Sequence, residues 1–565
     1  MGAKFTIQKD VMPFYLIKTL VIIFLSLVSL FPADAQFTRQ DTLRGSVGKE
    51  RAWWNVLRYD LSIKPDYNKK RIEGYNIITF ETKNFPDQPV MQIDLQEPMA
   101  IDSILYQEKH KLDFKKDGNA WFVTMLKHKP GPAKLKLKIF FSGKPREATN
   151  PPWDGGWIWE KDAKGRPWMT VACQGLGASA WYPCKDHQGD EPDEGATLSI
   201  NAPDSLVAVG NGRLIKKQAQ RNRSITWTWE VKNPINNYNI VPYIGKYVSW
   251  TEKYKGIKGN LDCSFWVMDY NLDKAKRHFG RDTKPMLHCF EDWFGPYPFY
   301  SDGFKLVETP HLGMEHQSGI AYGNQFLNGY LGSDLSSTGW GTKFDFIIIH
   351  ESGHEWFGNN ITTKDIADMW VHEGFTNYSE VLFVECQFGR KAADEYCQGL
   401  RAGINNDSPV IGTYGVNREG SGDMYPKGAN LIHTIRQVIN NDIVFKSILR
   451  GLNRDFYHQT ISSKDLESYI IHKSGKDLSK IFDQYLRDTR IPELQYKITD
   501  GRSITFRWSN CIPGFHMPIK VSLGERQHWL KPTTEWQTIR LADWYDGSSF
   551  YPDKNYYITF KNVDE

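Results

Sequence analysis

Apolar and polar residues alternate with a period of two through the first half of the chain: Tyr59, Leu61 and Ile63; Leu135, Leu137, Ile139 and Phe141; Ile225, Trp227, Trp229 and Val231. A period of two keeps the apolar side chains on one face of an extended strand, so this half is predicted as β-sheet with one buried face. Near residue 270 the spacing changes. Leu466, Tyr469 and Ile470, then Leu478, Ile481, Phe482, Tyr485 and Leu486, recur at three- and four-residue intervals, which predicts helices. After Ile491-Pro492 the alternation returns with Ile504, Phe506 and Trp508. The expected fold is therefore multidomain α+β: an N-terminal β-sheet domain over residues 36–255, an α-rich domain over 256–490 and a small C-terminal β domain over 491–565.

The first 35 residues read differently. Lys4, Lys9 and Lys18 precede or flank an apolar run from Thr19 to Leu30 that ends in Ala33-Asp34-Ala35. The run is shorter than the ~20 residues that cross a bilayer, and the alanines suit a signal peptidase, so residues 1–35 are predicted as a signal peptide cleaved before Gln36. An uncleaved anchor is the alternative. The mature chain is expected to have no stable membrane span and to be exported, either periplasmic or extracellular.

Composition narrows the function classes. Across 565 residues the net charge is +4, and setting Lys4, Lys9 and Lys18 against Asp10 and Asp34 leaves +3 for the mature chain. Basic residues are interspersed with acids, so no nucleic-acid partner is expected. Seven cysteines with no CxxC pair provide neither a disulfide framework nor a cysteine zinc knot. Cys173 and Cys184 are near enough in sequence to pair, which the sequence leaves open. The segment from Asn150 to Trp168, dense in Trp, Gly and Pro, is expected to be a loop pinned by buried tryptophans, with a substrate wall as the alternative.

The chemistry concentrates in the α-rich block. His350-Glu351-Ser352-Gly353-His354 is an HExxH pattern: residues four apart on a helix lie one turn above each other, so both imidazoles can reach one ion while Glu351 points to the open side. Catalytic zinc takes a third protein ligand and keeps its fourth position open. Glu373, in Trp370-Val371-His372-Glu373-Gly374-Phe375, supplies that carboxylate near the start of a second helix.

With WVHEGFTNYSE around Glu373, these residues resemble the gluzincin zinc aminopeptidases related to aminopeptidase N and leukotriene hydrolase. Upstream, Leu312-Gly313-Met314-Glu315-His316 is similar to the family's glycine-x-methionine-glutamate-asparagine signature, with Leu312 and His316 departing from it. The resemblance implies a thermolysin-like catalytic domain and one Zn2+ per chain held by His350, His354 and Glu373. It also implies Glu351 as general base and Glu315, with Gly313 and Met314, at the substrate's free amine. Gln174, in Ala172-Cys173-Gln174-Gly175, matches a glutamine that reaches the active site, and Tyr425, in Met424-Tyr425-Pro426-Lys427-Gly428, matches the tyrosine that stabilises the oxyanion. Asp368 is a candidate support for the ligands from behind, with a solvated loop acid as the alternative.

The expected function is hydrolysis of N-terminal residues from peptides with a free amine. A zinc hydrolase of another bond, such as an epoxide, and a non-catalytic exported binding protein are the alternatives. Larger members of the family carry a further C-terminal helical domain over the cavity, so access is expected to differ here.

Overall fold

The computed structural model describes residues 37–83, 86–126, 134–499, 501–540 and 550–563. The predicted signal peptide lies outside them. Among the described residues no helix is long and apolar enough to cross a membrane.

The N-terminal part is built on an eight-stranded sheet whose central strands are Ala196–Pro203, Trp54–Asp66, Arg71–Thr82 and Leu135–Gly143, in that order. Trp54–Asp66 runs antiparallel to Arg71–Thr82 and parallel to Ala196–Pro203, with Tyr59 opposite Ala196. The alternation predicts this: Tyr59, Leu61, Ile63, Leu137 and Ile139 are all buried on the inner face. A second sheet of four strands carries the hairpin Gly156–Lys161 and Pro167–Ala172. That hairpin corrects the expectation of a loop over residues 150–168. Trp157 and Trp159 are buried as expected, whereas Trp153, in the turn before the hairpin, is 63% exposed.

Next comes a mixed five-stranded sheet, opening with the hairpin Tyr247–Gly256 and Gly259–Met268 and continuing through Phe304–Glu308, Ile320–Tyr322 and Gly313–Met314. The expected boundary at 255/256 falls at the turn of this hairpin, because alternation alone does not tell which sheet a strand joins. Four helices matter for the site: α1 (Leu272–Phe294), α2 (Phe346–Gly353), α3 (Trp370–Phe388) and α4 (Pro426–Ile439). Helix α2 is short and wholly buried. It starts where the Asp345 carboxylate accepts from the Ile347 and Ile348 amides at 3.0 and 3.3 Å, satisfying amide groups that the helix itself cannot pair.

Helix α3 packs face-on against both α2 and α4. Where α3 crosses α4, Gly374 and Gly428 meet: a Cβ on Gly428 would lie 2.8 Å from the Gly374 Cα. The close approach brings the start of α4, and with it Tyr425, up to the first turn of α3. The C-terminal part consists of two small sheets, one centred on Glu493–Thr499 and Ser503–Ser509 and the other on Ile519–Leu523. Tyr485 donates to the Tyr557 carbonyl at 2.6 Å and ties this part to the helical core.

Among the described cysteines the one disulfide is Cys289–Cys386, joining α1 to α3. Cys173 and Cys184 are separate buried thiols, which closes the pairing that the sequence left open. The Cys173 thiol lies 3.6 Å from the Tyr238 carbonyl instead.

Candidate active site

His350 and His354 occupy the last turn and the end of α2, and Glu373 the first turn of α3. Their outer ring nitrogens settle their protonation. His350 Nδ1 is 2.7 Å from Glu380 Oε1 and His354 Nδ1 is 3.1 Å from the Phe357 carbonyl, and since those oxygens accept, each Nδ1 carries the proton. A neutral imidazole that holds its proton on Nδ1 turns its Nε2 lone pair inward, and the two Nε2 atoms face each other at 3.3 Å. Glu373 Oε2 lies 3.6 Å from His350 Nε2 and 3.3 Å from His354 Nε2, is buried and makes no hydrogen bond.

Two imidazole nitrogens and a carboxylate oxygen converging on one point form a donor set that a cation can bridge. A tetrahedral ion about 2.0–2.1 Å from two imidazole nitrogens sets them about 3.3 Å apart, so the spacing fits. Nitrogen–nitrogen–oxygen donor chemistry suits zinc.

Glu380 was missed as a site residue. It accepts from His350, from the Tyr396 hydroxyl at 2.6 Å and from Asn377 Nδ2 at 2.9 Å, which fixes the carboxylate behind the ligand. The signal was present in its position seven residues after Glu373, two helical turns along the same face. Asp368, the residue expected to give such support, instead accepts from the Tyr414 hydroxyl at 2.6 Å and the Ser463 amide at 3.0 Å, away from the histidines.

Glu351 is also buried, and its carboxylate oxygens group with those of Glu315 and the His354 ring within 4.8 Å. Burial pushes the Glu351 carboxyl up to about 7, against the pull of His350 and His354. Gly313 faces it: a Cβ there would lie 2.8 Å from Glu351 Oε1 and equally close to Ile347, so the glycine keeps room for the carboxylate. Glu315 Oε1 accepts from Gln174 Nε2 at 2.5 Å and from the Tyr238 hydroxyl at 2.8 Å. Burial raises the Glu315 carboxyl, opposed by His354.

His316, which departs from the resembled signature, is buried with Nδ1 2.7 Å from the Tyr243 hydroxyl. That hydroxyl donates to the Gly319 carbonyl, so His316 Nδ1–H is the donor to Tyr243. Tyr425 stacks beside His350 with ring centroids 6.0 Å apart. Burial, then the negative charges of Glu373 and Glu315, raise its phenol far above the ordinary value, so it stays protonated and able to donate. A cavity of about 380 Å³ opens over the group and is lined by nine of the residues singled out in the sequence, from Gln174 and Gly313 to Tyr425, but not by Asp368.

The fold and this constellation together carry the HExxH arrangement of a two-histidine, one-carboxylate metal centre. The peptidase M1 N-terminal domain matches over residues 55–238 and the peptidase family M1 domain over 281–485, and the chain belongs to family M1. It is 24% identical over 339 residues to aminopeptidase M1 of Arabidopsis thaliana, covering 57% of this chain and 37% of that protein. Aminopeptidase N of Lactococcus lactis is likewise 24% identical over 348 residues, with 57% and 39% covered. The chain thus spans under two fifths of these relatives' length. A solved M1 zinc metallopeptidase of Deinococcus radiodurans shares the fold at a TM-score of 0.65 and 19% identity, covering 79% of this chain and 96% of that one.

Proposed function

We propose that the protein is an exported zinc aminopeptidase that removes single residues from peptides with a free N-terminus. The observation carrying this reading is Glu315: a buried carboxylate held by Gln174 and Tyr238, within 4.8 Å of Glu351 and His354, leaves an unneutralised acid where a peptide's ammonium group would lie. Zinc held by His350, His354 and Glu373 supplies Lewis acidity toward water and the scissile carbonyl.

The chain's own residues do the rest. Glu315 pairs with the substrate ammonium and Gln174 holds that carboxylate in place, which puts the first peptide bond over the ligands and fixes the register. Glu351, basic near neutral pH, takes a proton from the attacking water and returns it to the leaving amine. As the carbonyl oxygen becomes negative, the Tyr425 hydroxyl donates to it. Export is supported by the leader-like sequence of residues 1–35 and by the Cys289–Cys386 bond, which is rare in reducing compartments.

The test compares aminoacyl reporters with a free amine against the same reporters N-acetylated, with and without chelator. Expected are turnover of the free forms only, its loss on chelation, and a narrowed gap between free and acetylated forms in Glu315→Gln. Internal cleavage of acetylated peptides as fast as trimming of free ones would replace this reading with an endopeptidase. Turnover of an epoxide but of no peptide would replace it with the other hydrolase.

A further inference from the structure

Apart from the residues that the proposed reaction already uses and Asn377, the cavity wall is apolar, with Leu312, Tyr330, Leu335 and Phe346 among its lining and no further charged group. One wall residue stands out by its exposure. Trp153 is 63% exposed, more than the other exposed tryptophans, Trp529 at 41% and Trp536 at 42%, and unlike them it lines the cavity. Its turn is built to hold it there: Asp154 accepts from the Thr149 amide and hydroxyl at 2.7 Å each and from the Asn150 amide at 3.0 Å. Gly155, at φ +67°, seats the turn on its neighbour, since a Cβ there would lie 2.8 Å from the Leu176 Cβ. Leu176 is two residues beyond Gln174, the residue that grips Glu315. The turn therefore leans on the loop that carries Gln174, and Trp153 lines the same cavity as Gln174 and Glu315.

We infer that Trp153 is the aromatic wall of the pocket for the substrate's first side chain, and that it makes the enzyme select peptides beginning with a large apolar or aromatic residue. This rests on the aminopeptidase reading above. A charged first side chain would enter a lining in which every acid is committed to the metal, to the water or to the ammonium group, and so would lose its hydration without gaining a partner. An aromatic first side chain buries its face against the indole.

The test uses the zinc-loaded protein and its Trp153→Ala and Trp153→Phe variants with Phe, Leu, Ala, Lys and Glu aminoacyl reporters. For the unaltered protein kcat/KM for Phe and Leu should exceed that for Ala, Lys and Glu by about tenfold or more. In Trp153→Ala the Phe-to-Ala ratio should fall by about tenfold, chiefly through KM, and Trp153→Phe should restore most of it. A purely structural role for Trp153 would lower all reporters alike, and that result overturns the inference, as would Lys or Glu reporters matching Phe. A second arm measures calorimetric binding of free L-phenylalanine, L-alanine and L-lysine. Tighter phenylalanine binding that weakens in Trp153→Ala supports the pocket, and equal binding of the three overturns it. Absence of turnover with every free-amine reporter would sink the aminopeptidase reading, while the binding arm still decides the pocket.

Discussion

Each metal-facing histidine has its Nδ1 proton committed to a fixed oxygen, Glu380 for one ring and the Phe357 carbonyl for the other, so both rings are oriented before an ion arrives. Ligand affinity should then depend on a residue that touches no ion. Glu380→Gln keeps an acceptor for His350 but removes its charge, and zinc affinity should fall about tenfold or more, read by competition with a chelator of known affinity. Glu351→Gln should keep zinc and lower turnover by about a hundred- to ten-thousandfold, because an amide takes no proton from water. Zinc content and single-turnover rates on the same sample separate the two variants. His350, Glu351 and His354 were legible because helical spacing alone puts them on one face. Glu380 stands in the same motif, but its role depends on which helix face meets His350, which spacing along the chain does not show. The role proposed for Asp368 failed for a related reason: nearness in sequence to Glu373 placed it at the other end of a turn, facing Tyr414.

At the scale of elements, the site depends on how closely α3 and α4 cross. Gly374 and Gly428 both appear in the motifs read from the sequence, but the reason for them is a backbone contact that no one-dimensional pattern displays. Gly428→Ala puts a methyl group 2.8 Å from the Gly374 Cα, and both atoms belong to helix backbones, so the helices must part. Overpacking of this kind costs about 1–3 kcal/mol. Because the metal ligands lie on α2 and α3 and Tyr425, the proposed oxyanion donor, at the start of α4, separation should lower kcat about tenfold while leaving zinc affinity close to normal. Thermal unfolding with metal titration checks this. The alternation that announced the strands was sufficient for the large N-terminal sheet. It failed at residues 150–168, where Trp, Gly and Pro suggested a loop but Trp157 and Trp159 pair across a hairpin, opposite Val171 and Met169.

Over the whole molecule, the β, α-rich, β order was legible because the periodicity changes twice. The join between the first two parts was not, because it is made by side chains distant in sequence. Glu191, in the stretch between Pro167–Ala172 of the second sheet and Ala196–Pro203 of the large one that also carries Gln174, accepts from the Thr362 hydroxyl of the α-rich part at 2.7 Å and is buried. Burial pushes its carboxyl up to about 7 from an ordinary 4.5. The folded state therefore holds a proton that the unfolded chain releases, and stability should decline as pH rises from about 4.5 to 7 and level off above, by about 3 kcal/mol from this one group. Glu191→Gln keeps the acceptor for Thr362 and has no proton to lose, so its melting temperature should fall less over that interval, which calorimetry across pH measures.

The Cys289–Cys386 bond closes a loop that contains Glu315, His350, Glu351, His354, Glu373 and Glu380, while Gln174 and Tyr425 lie outside it. The chain is exposed within that loop at residues 331–333 and 337–339. A single cut there would put Glu315 on one fragment and the three metal ligands on the other, yet the two would travel as one molecule until a reductant separates them. A nicked preparation would thus look intact on a non-reducing gel and resolve into two bands on a reducing one, so the integrity of this protein after contact with a protease is judged correctly only after reduction.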